Sequence, residues 1–151
     1  MMNIRFICVG KIKEPYLKKG IEFYKNKLAK KAHVELIEVD DEKTPDHAGQ
    51  KEEDRIRRIE GERILKHIPP DSEVYALCID GKQMTSDELR KRIIGCQNAA
   101  DKKIAFIIGG SLGLSPDVVR RADIKISFSV MTFPHQMMRM ILLEQIDRVL
   151  S

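Results

Sequence analysis

The sequence predicts one α/β domain spanning residues 1–151, built on a mainly parallel sheet with helices on both faces. Three observations carry this reading. Strand-like apolar runs alternate with amphipathic helical stretches along the whole chain. No repeat, low-complexity tract or Pro/Gly/Ser linker divides the 151 residues. Apolar residues make up 42% of the chain, enough for a core without disulfides or metal.

The elements follow in order. Asn3 to Val9 is an apolar run closed by Gly10 and Lys11, a first strand. Pro15 opens a helix whose Leu17, Ile21, Tyr24 and Leu28 fall on one stripe, with lysines around the rest. His33 to Val39 alternates as a strand, Asp40 to Gln50 is a loop, and a charge-rich helix runs on to about His67 before Pro69 and Pro70. Glu73 to Asp80 is a buried strand ending at Gly81. Thr85 and Glu88 have the spacing of a capping box for a helix reaching about Ile94. Lys103 to Ile108 is a fourth strand, Pro116 starts a short helix, and Ile124 to Ser129 is a fifth strand. Pro134 opens the final helix.

Charge is unevenly spread. Between Lys11 and Lys31 there are eight lysines against two acids, whereas Glu35 to Glu62 holds eleven acids against five bases. The first segment suits a polyanion and the second does not. With no Trp and 5% aromatic residues, any grip on nucleic acid relies on charge and shape more than stacking. Cys8, Cys78 and Cys96 are odd in number and set among apolar residues, so they read as buried small hydrophobes in a reducing compartment. His33, His47, His67 and His135 are scattered, and no metal site is expected. The apolar runs are far shorter than the ~20 residues of a membrane helix, and the first residues lack a secretory signal, so a soluble cytoplasmic protein is expected.

Ligands of parallel sheets sit at the carboxyl ends of the strands. Three segments qualify: the loop after Asp80, the glycine loop 109–113, and Ser129 to Phe133. They converge if the third, fourth and fifth strands are neighbours. The glycine loop lacks the first glycine of a dinucleotide fingerprint, and there is no phosphate-binding GxxxxGK[ST]. A flavodoxin-like nucleotide binder therefore rests on topology alone. In SFSVMTFPHQMMR (127–139), Phe128, Met131 and Phe133 suit a flat, partly apolar ligand whose edge is read by backbone groups. His135 and Arg139 share a helix face, Arg139 able to grip a phosphate and His135 to move a proton. The last helix is apolar nearly all round, which predicts a homodimer through it.

FIIGGSLG (106–113) followed by the 127–139 block resembles the RlmH family of ribosomal RNA methyltransferases, of the trefoil-knotted SPOUT class. Val9-Gly10-Lys11 with Glu14, the run Glu60-Gly61-Glu62-Arg63-Ile64-Leu65, and Leu77 through Asp80-Gly81 to Ser86 fit it as well, so the likeness covers residues 3 to about 148. The resemblance implies a C-terminal knot and a homodimer. It implies methyl transfer from S-adenosylmethionine to N3 of a pseudouridine in 23S rRNA, on the assembled ribosome. By matching position it places the cofactor on Leu77, Gly109, Phe128, Ser129, Val130, Met131, Thr132 and Phe133. Arg139, His135 and the lysine-rich first helix would meet the RNA, and no residue is assigned as general base.

Two positions depart from the pattern. Val130 stands where a lysine is common, and Asp147 where a tyrosine is usual. The family usually continues past the last helix into a tail with a Tyr-His pair, whereas this sequence ends at Ser151. The alternative reading is a catalytically impaired ribosome-associated protein of the same fold, which binds the cofactor and has lost methylation.

Overall fold

The computed structural model describes residues 1–95 and 101–151; Cys96 lies outside the described residues. The elements are β1 (Asn3–Val9), α1 (Pro15–Ala29), β2 (His33–Val39), α2 (Gln50–Leu65), β3 (Glu73–Gln83), α3 (Ser86–Ile94), β4 (Lys103–Ile108), α4 (Pro116–Arg121), β5 (Ile124–Ser127) and α5 (His135–Val149). The five strands form one sheet in the order β2-β1-β4-β3-β5, and every pairing is parallel. The third, fourth and fifth strands are therefore neighbours. All the carboxyl ends share one edge.

Two apolar layers sandwich the sheet. On one face Leu17, Ile21 and Leu28 of α1, Leu89 and Ile93 of α3, and Leu142, Leu143 and Ile146 of α5 bury against Ile4, Phe6 and Ile104. On the other, Ile64 of α2 and Val118 of α4 cover Ile7, Val9, Val74 and Ile107. Successive strand residues point to opposite faces, so runs such as KIAFII feed both layers at once. In the centre, Phe106 stacks between Phe6 and Tyr75 across three strands, with centroids 5.4 and 5.0 Å apart. Cys8 is fully buried there, and desolvation pushes its thiol up to about 12, against the pull of Arg139. Cys78, by contrast, is only half-buried.

Two strand ends differ from expectation. β3 does not stop at Gly81. Leu77 and Lys82 both pair with Ile126, so residues 78–81 bulge out between them. A β-carbon at Gly81 would lie 2.7–2.9 Å from the backbone of Ile126, which is why the chain passes here only as glycine. β5 ends at Ser127 rather than Ser129 because serine side chains turn the backbone. Ser127 Oγ donates to Ser129 O (2.9 Å), and Met131 N donates to Ser129 Oγ (3.0 Å).

The capping box at α3 is complete. Glu88 N donates to Thr85 Oγ1 (3.1 Å), and Thr85 N donates to Glu88 Oε1 (3.2 Å). Thr85→Ala is expected to cost about 1 kcal/mol, read as a fall in melting temperature of roughly 2–4 °C. An unchanged melting curve would show that α3 does not depend on its cap.

α5 finds most of its partners within the chain. It packs on α1, α3 and β4, and Gly20 of α1 lies directly against the Met140 side chain. Its apolarity on several sides is thus largely answered by intrachain neighbours. Met137, Met138, Met140 and Ile141 keep partial exposure.

Candidate active site

At the carboxyl edge of β4, β3 and β5 lies a cavity of about 830 Å³. That is near the upper end of the ~300–1,000 Å³ usual for small-molecule sites. Two of the three expected segments line it, the glycine loop and Ser129 to Phe133, the latter within a stretch from Ser127 to His135. The third contribution is Leu77 to Asp80 of β3 and not the loop after Asp80, because β3 runs on to Gln83.

The glycine loop is a tight turn. Gly113 N donates to Gly110 O (3.1 Å), the two residues form an antiparallel bridge, and Gly113 takes φ +82°, a conformation costly for other residues. α2 supports it from behind. Arg57 Nη1 donates to Leu112 O (3.2 Å), and a β-carbon at Gly110 would lie 3.3 Å from Glu60 Oε1. Glu60 is buried. Its Oε2 accepts from Glu42 N (3.0 Å) while Oε1 has no partner among the described residues. Desolvation raises its carboxyl above the usual range, opposed by the Glu42 N–H. The sequence offers the Glu60-Gly61-Glu62 run as a motif but gives no sign that the first acid lies under the loop.

Of the eight residues expected around the cofactor, seven line the cavity: Leu77, Gly109, Phe128, Ser129, Met131, Thr132 and Phe133. Val130 does not. It is 77% exposed, because the serine-bonded turn at 129–131 aims its side chain outward. The walls also include Leu114, Lys125 and Met138, which sequence reasoning missed. Leu114 follows the glycine loop and Met138 sits one turn into α5, so their neighbours were the only signal.

His135 and Arg139 part company. His135, the first residue of α5, lines the cavity. Arg139 does not, and it is 1% exposed, whereas an RNA contact is expected at the surface. Its Nη1 donates to Glu38 Oε2 (2.5 Å) and its Nη2 to Gly10 O (3.1 Å). A buried guanidinium needs partners from within. These two bonds tie α5 to the ends of β1 and β2, while the buried Nε has no partner among the described residues.

The charged lining is sparse. Asp80 and Lys125 pair with each other at 3.3 Å, and His135 belongs to the same lining. Of the lysines on α1 and just after it, Lys27 and Lys31 are drawn to Asp147 of α5 (3.4 and 2.8 Å). The Asp147 carboxyl is desolvated, yet these two cations hold it below the usual range. Lys11, Lys13, Lys18, Lys19 and Lys30 remain exposed without a carboxylate partner among the described residues. Among the described residues, no group of three or more His, Cys, Asp or Glu could hold a metal ion. No helix there is long and apolar enough to cross a membrane.

Residues 2–151 match the family described as "Predicted SPOUT methyltransferase". The chain belongs to the SPOUT methyltransferase family. Within it, the chain is 52% identical over 147 residues to "Ribosomal RNA large subunit methyltransferase H" of Bifidobacterium animalis subsp. lactis (strain AD011), covering 97% of this chain and 92% of that one. Proteins of the same name from Exiguobacterium sp. (strain ATCC BAA-1283 / AT1b) and Clostridioides difficile (strain 630) are each 53% identical over the same shares. Among solved structures, the chain is similar to "a probable methylase family protein from Haemophilus influenzae Rd KW20", with TM-score 0.51 and 11% identity. That likeness covers 97% of this chain and 64% of the other, and it speaks to fold alone. The parallel α/β architecture is that of a SPOUT protein.

Proposed function

We propose that this protein transfers a methyl group from S-adenosylmethionine to N3 of a pseudouridine in 23S rRNA, in the cytoplasm and on the ribosome. The observation that carries the reading is the cavity: seven of the eight cofactor positions implied by family resemblance line one hollow at the sheet edge. Identity of 52–53% over 97% of the chain to proteins named as methyltransferases favours catalysis over the impaired alternative.

The lining fits the cofactor. Leu77, Ile108, Leu114 and Phe128 offer apolar surface for a purine, and the loops at 109–113 and 129–133 offer backbone groups for its edge. A sulfonium is cationic, and the lining's Lys125 is matched by Asp80, so the cavity does not repel it. When bound, the cofactor supplies an already activated methyl group. This chain's residues then have three tasks: to hold donor and base about 3–3.5 Å apart, to exclude water, and to relieve N3 of its proton. The exposed lysines of α1 and the loop before it would meet the RNA backbone and give salt-dependent affinity.

The homodimer belongs to the same proposal. Met137, Met140 and Ile141 of α5 keep partial exposure, and on α1 Tyr16 and Phe23 are 60% and 57% exposed. A second copy packed on this side would cover them. So does the knot: the chain leaves edge strand β5 and returns to pack α5 on α1 and β4.

Isothermal titration with S-adenosylmethionine tests the reading first, with saturable binding expected. Incubation of labelled cofactor with ribosomes lacking the modification then separates enzyme from inert binder, with label expected in 23S rRNA. Sedimentation is expected to give twice the monomer mass. Absence of cofactor binding would remove the proposal, and binding without transfer would restore the impaired alternative.

A further inference from the structure

We propose that His135 is the residue that accepts the N3 proton of the target base during methyl transfer. The inference rests on the methyltransferase reading and deepens it by assigning the base.

Pro134 has φ −55°, and His135 directly follows it as the first residue of α5, in the wall of the cavity that also holds Gly109 and Thr132. The cavity's size leaves room for a nucleobase beside a cofactor.

Besides His135, three side chains in the lining carry ionisable groups. Asp80 and Lys125 are engaged with each other. Cys78 has its thiol pushed up by desolvation and by Asp80, so it keeps its proton. Serine and threonine hydroxyls are far too weakly basic. An imidazole titrates near neutrality and can accept a proton and later release it to solvent.

Its surroundings suit the role. Arg139 faces it from the next turn of α5, and Asp41 from the loop after β2. Lys11 lies on the neighbouring loop after β1, its carbonyl accepting from Gln136 Nε2 (3.4 Å), while Asp80 and Lys125 belong to the same cavity lining. Desolvation, joined by Arg139, holds the ring below its ordinary range, with Asp41 pulling the other way. The resting ring is therefore unprotonated at neutral pH. Asp41 favours the imidazolium that forms, and Glu38 partly offsets the nearby guanidinium.

The step balances. The N3–H proton passes to a ring nitrogen of His135, and the electron pair left on N3 forms the new bond to the methyl carbon. The carbon–sulfur bond breaks with its pair remaining on sulfur, giving a neutral thioether. The imidazolium then returns its proton to water.

The test is single-turnover transfer of labelled methyl to ribosomes lacking the modification, with wild type, His135→Ala and His135→Gln, from about pH 6 to 9. Cofactor affinity is measured in parallel by titration calorimetry. Wild type is expected to slow on acidification, as the ring becomes protonated. Both variants are expected to bind cofactor within about twofold of wild type, to transfer about 100- to 10,000-fold more slowly, and to lose that acid limb. Imidazole added to His135→Ala should restore part of the rate, and the bulkier His135→Gln should not respond. Near-wild-type transfer by either variant would overturn the assignment. So would slow transfer that keeps the acid limb and ignores imidazole, which would make the ring a positioning group. If the alanine variant loses cofactor binding, the pH profile of His135→Gln decides. Failure of wild type to transfer would overturn the methyltransferase reading and this one together, whereas failure of the base assignment alone leaves wild-type transfer intact.

Discussion

Gly109→Val is expected to weaken S-adenosylmethionine binding by about 100-fold or more, equivalent to roughly 2.7 kcal/mol. The glycine is needed less because a ligand approaches it than because the loop folds back over it. A β-carbon at residue 109 would lie 2.9 Å from Leu114 Cδ2, 3.0 Å from Gly113 C and 3.1 Å from Gly113 O. The leucine tip can rotate away. The Gly113 carbonyl cannot, since that residue is held at φ +82° and bridged to Gly110. Valine adds two methyl groups to the same crowded point, so the far limb of the loop must move, and with it one wall of the cavity. Overpacking of this kind costs about 1–3 kcal/mol of stability, so the variant should still fold. Calorimetric titration beside a thermal melt checks both parts. Cofactor affinity within threefold of wild type would show that the loop does not line the cofactor site.

Arg139→Ala is expected to destabilise the protein by about 3 kcal/mol, the scale for breaking a buried ion pair, while leaving the RNA affinity of the folded fraction unchanged. The alanine leaves the Gly10 carbonyl without its donor and opens a cavity where one of the largest fully buried side chains stood. Glu38 softens the loss, because its side chain is 36% exposed and can turn to water. Arg139→Lys should recover only part, since one ammonium cannot serve a carboxylate and a carbonyl with the same planar geometry. Denaturant melts and RNA titration at several salt concentrations separate the possibilities. A variant with wild-type stability and weaker, less salt-dependent RNA binding would return Arg139 to the RNA surface.

Much of this architecture can be read from period and punctuation. β1 and β4 fall at the residues their apolar runs define, since a strand buried on both faces needs an unbroken run and a turn residue to end it, and the edge strand β2 falls where its residues alternate. The Thr85–Glu88 pair marks α3 because the cap is a local hydrogen-bond pattern. Convergence of the three segments follows once the strand order is known, and that order depends on contacts far apart in sequence. Two features escaped for physical reasons. Gly81 reads as a strand terminator, yet its missing side chain is what lets β3 continue past Ile126. Arg139 reads as a surface residue by type, and only the tertiary fold supplies the carboxylate and carbonyls that allow it to be buried. Val130 illustrates the limit of a contiguous motif. One side chain in a run of six can face away when a hydroxyl turns the backbone beneath it.

The strand order has a bearing on how the protein is made. β1 is seated between β2 and β4, and Asn3 pairs with His33 on one side and with Lys103 on the other. During synthesis the first strand therefore keeps an open edge until some two-thirds of the polypeptide has emerged. An apolar strand left waiting in this way is exposed to pairing with another nascent chain, and loop closure over such a span slows folding. The hollow at the sheet edge draws on Leu77 at one extreme and Met138 at the other, so capacity for its ligand arrives only when the late-made segments dock.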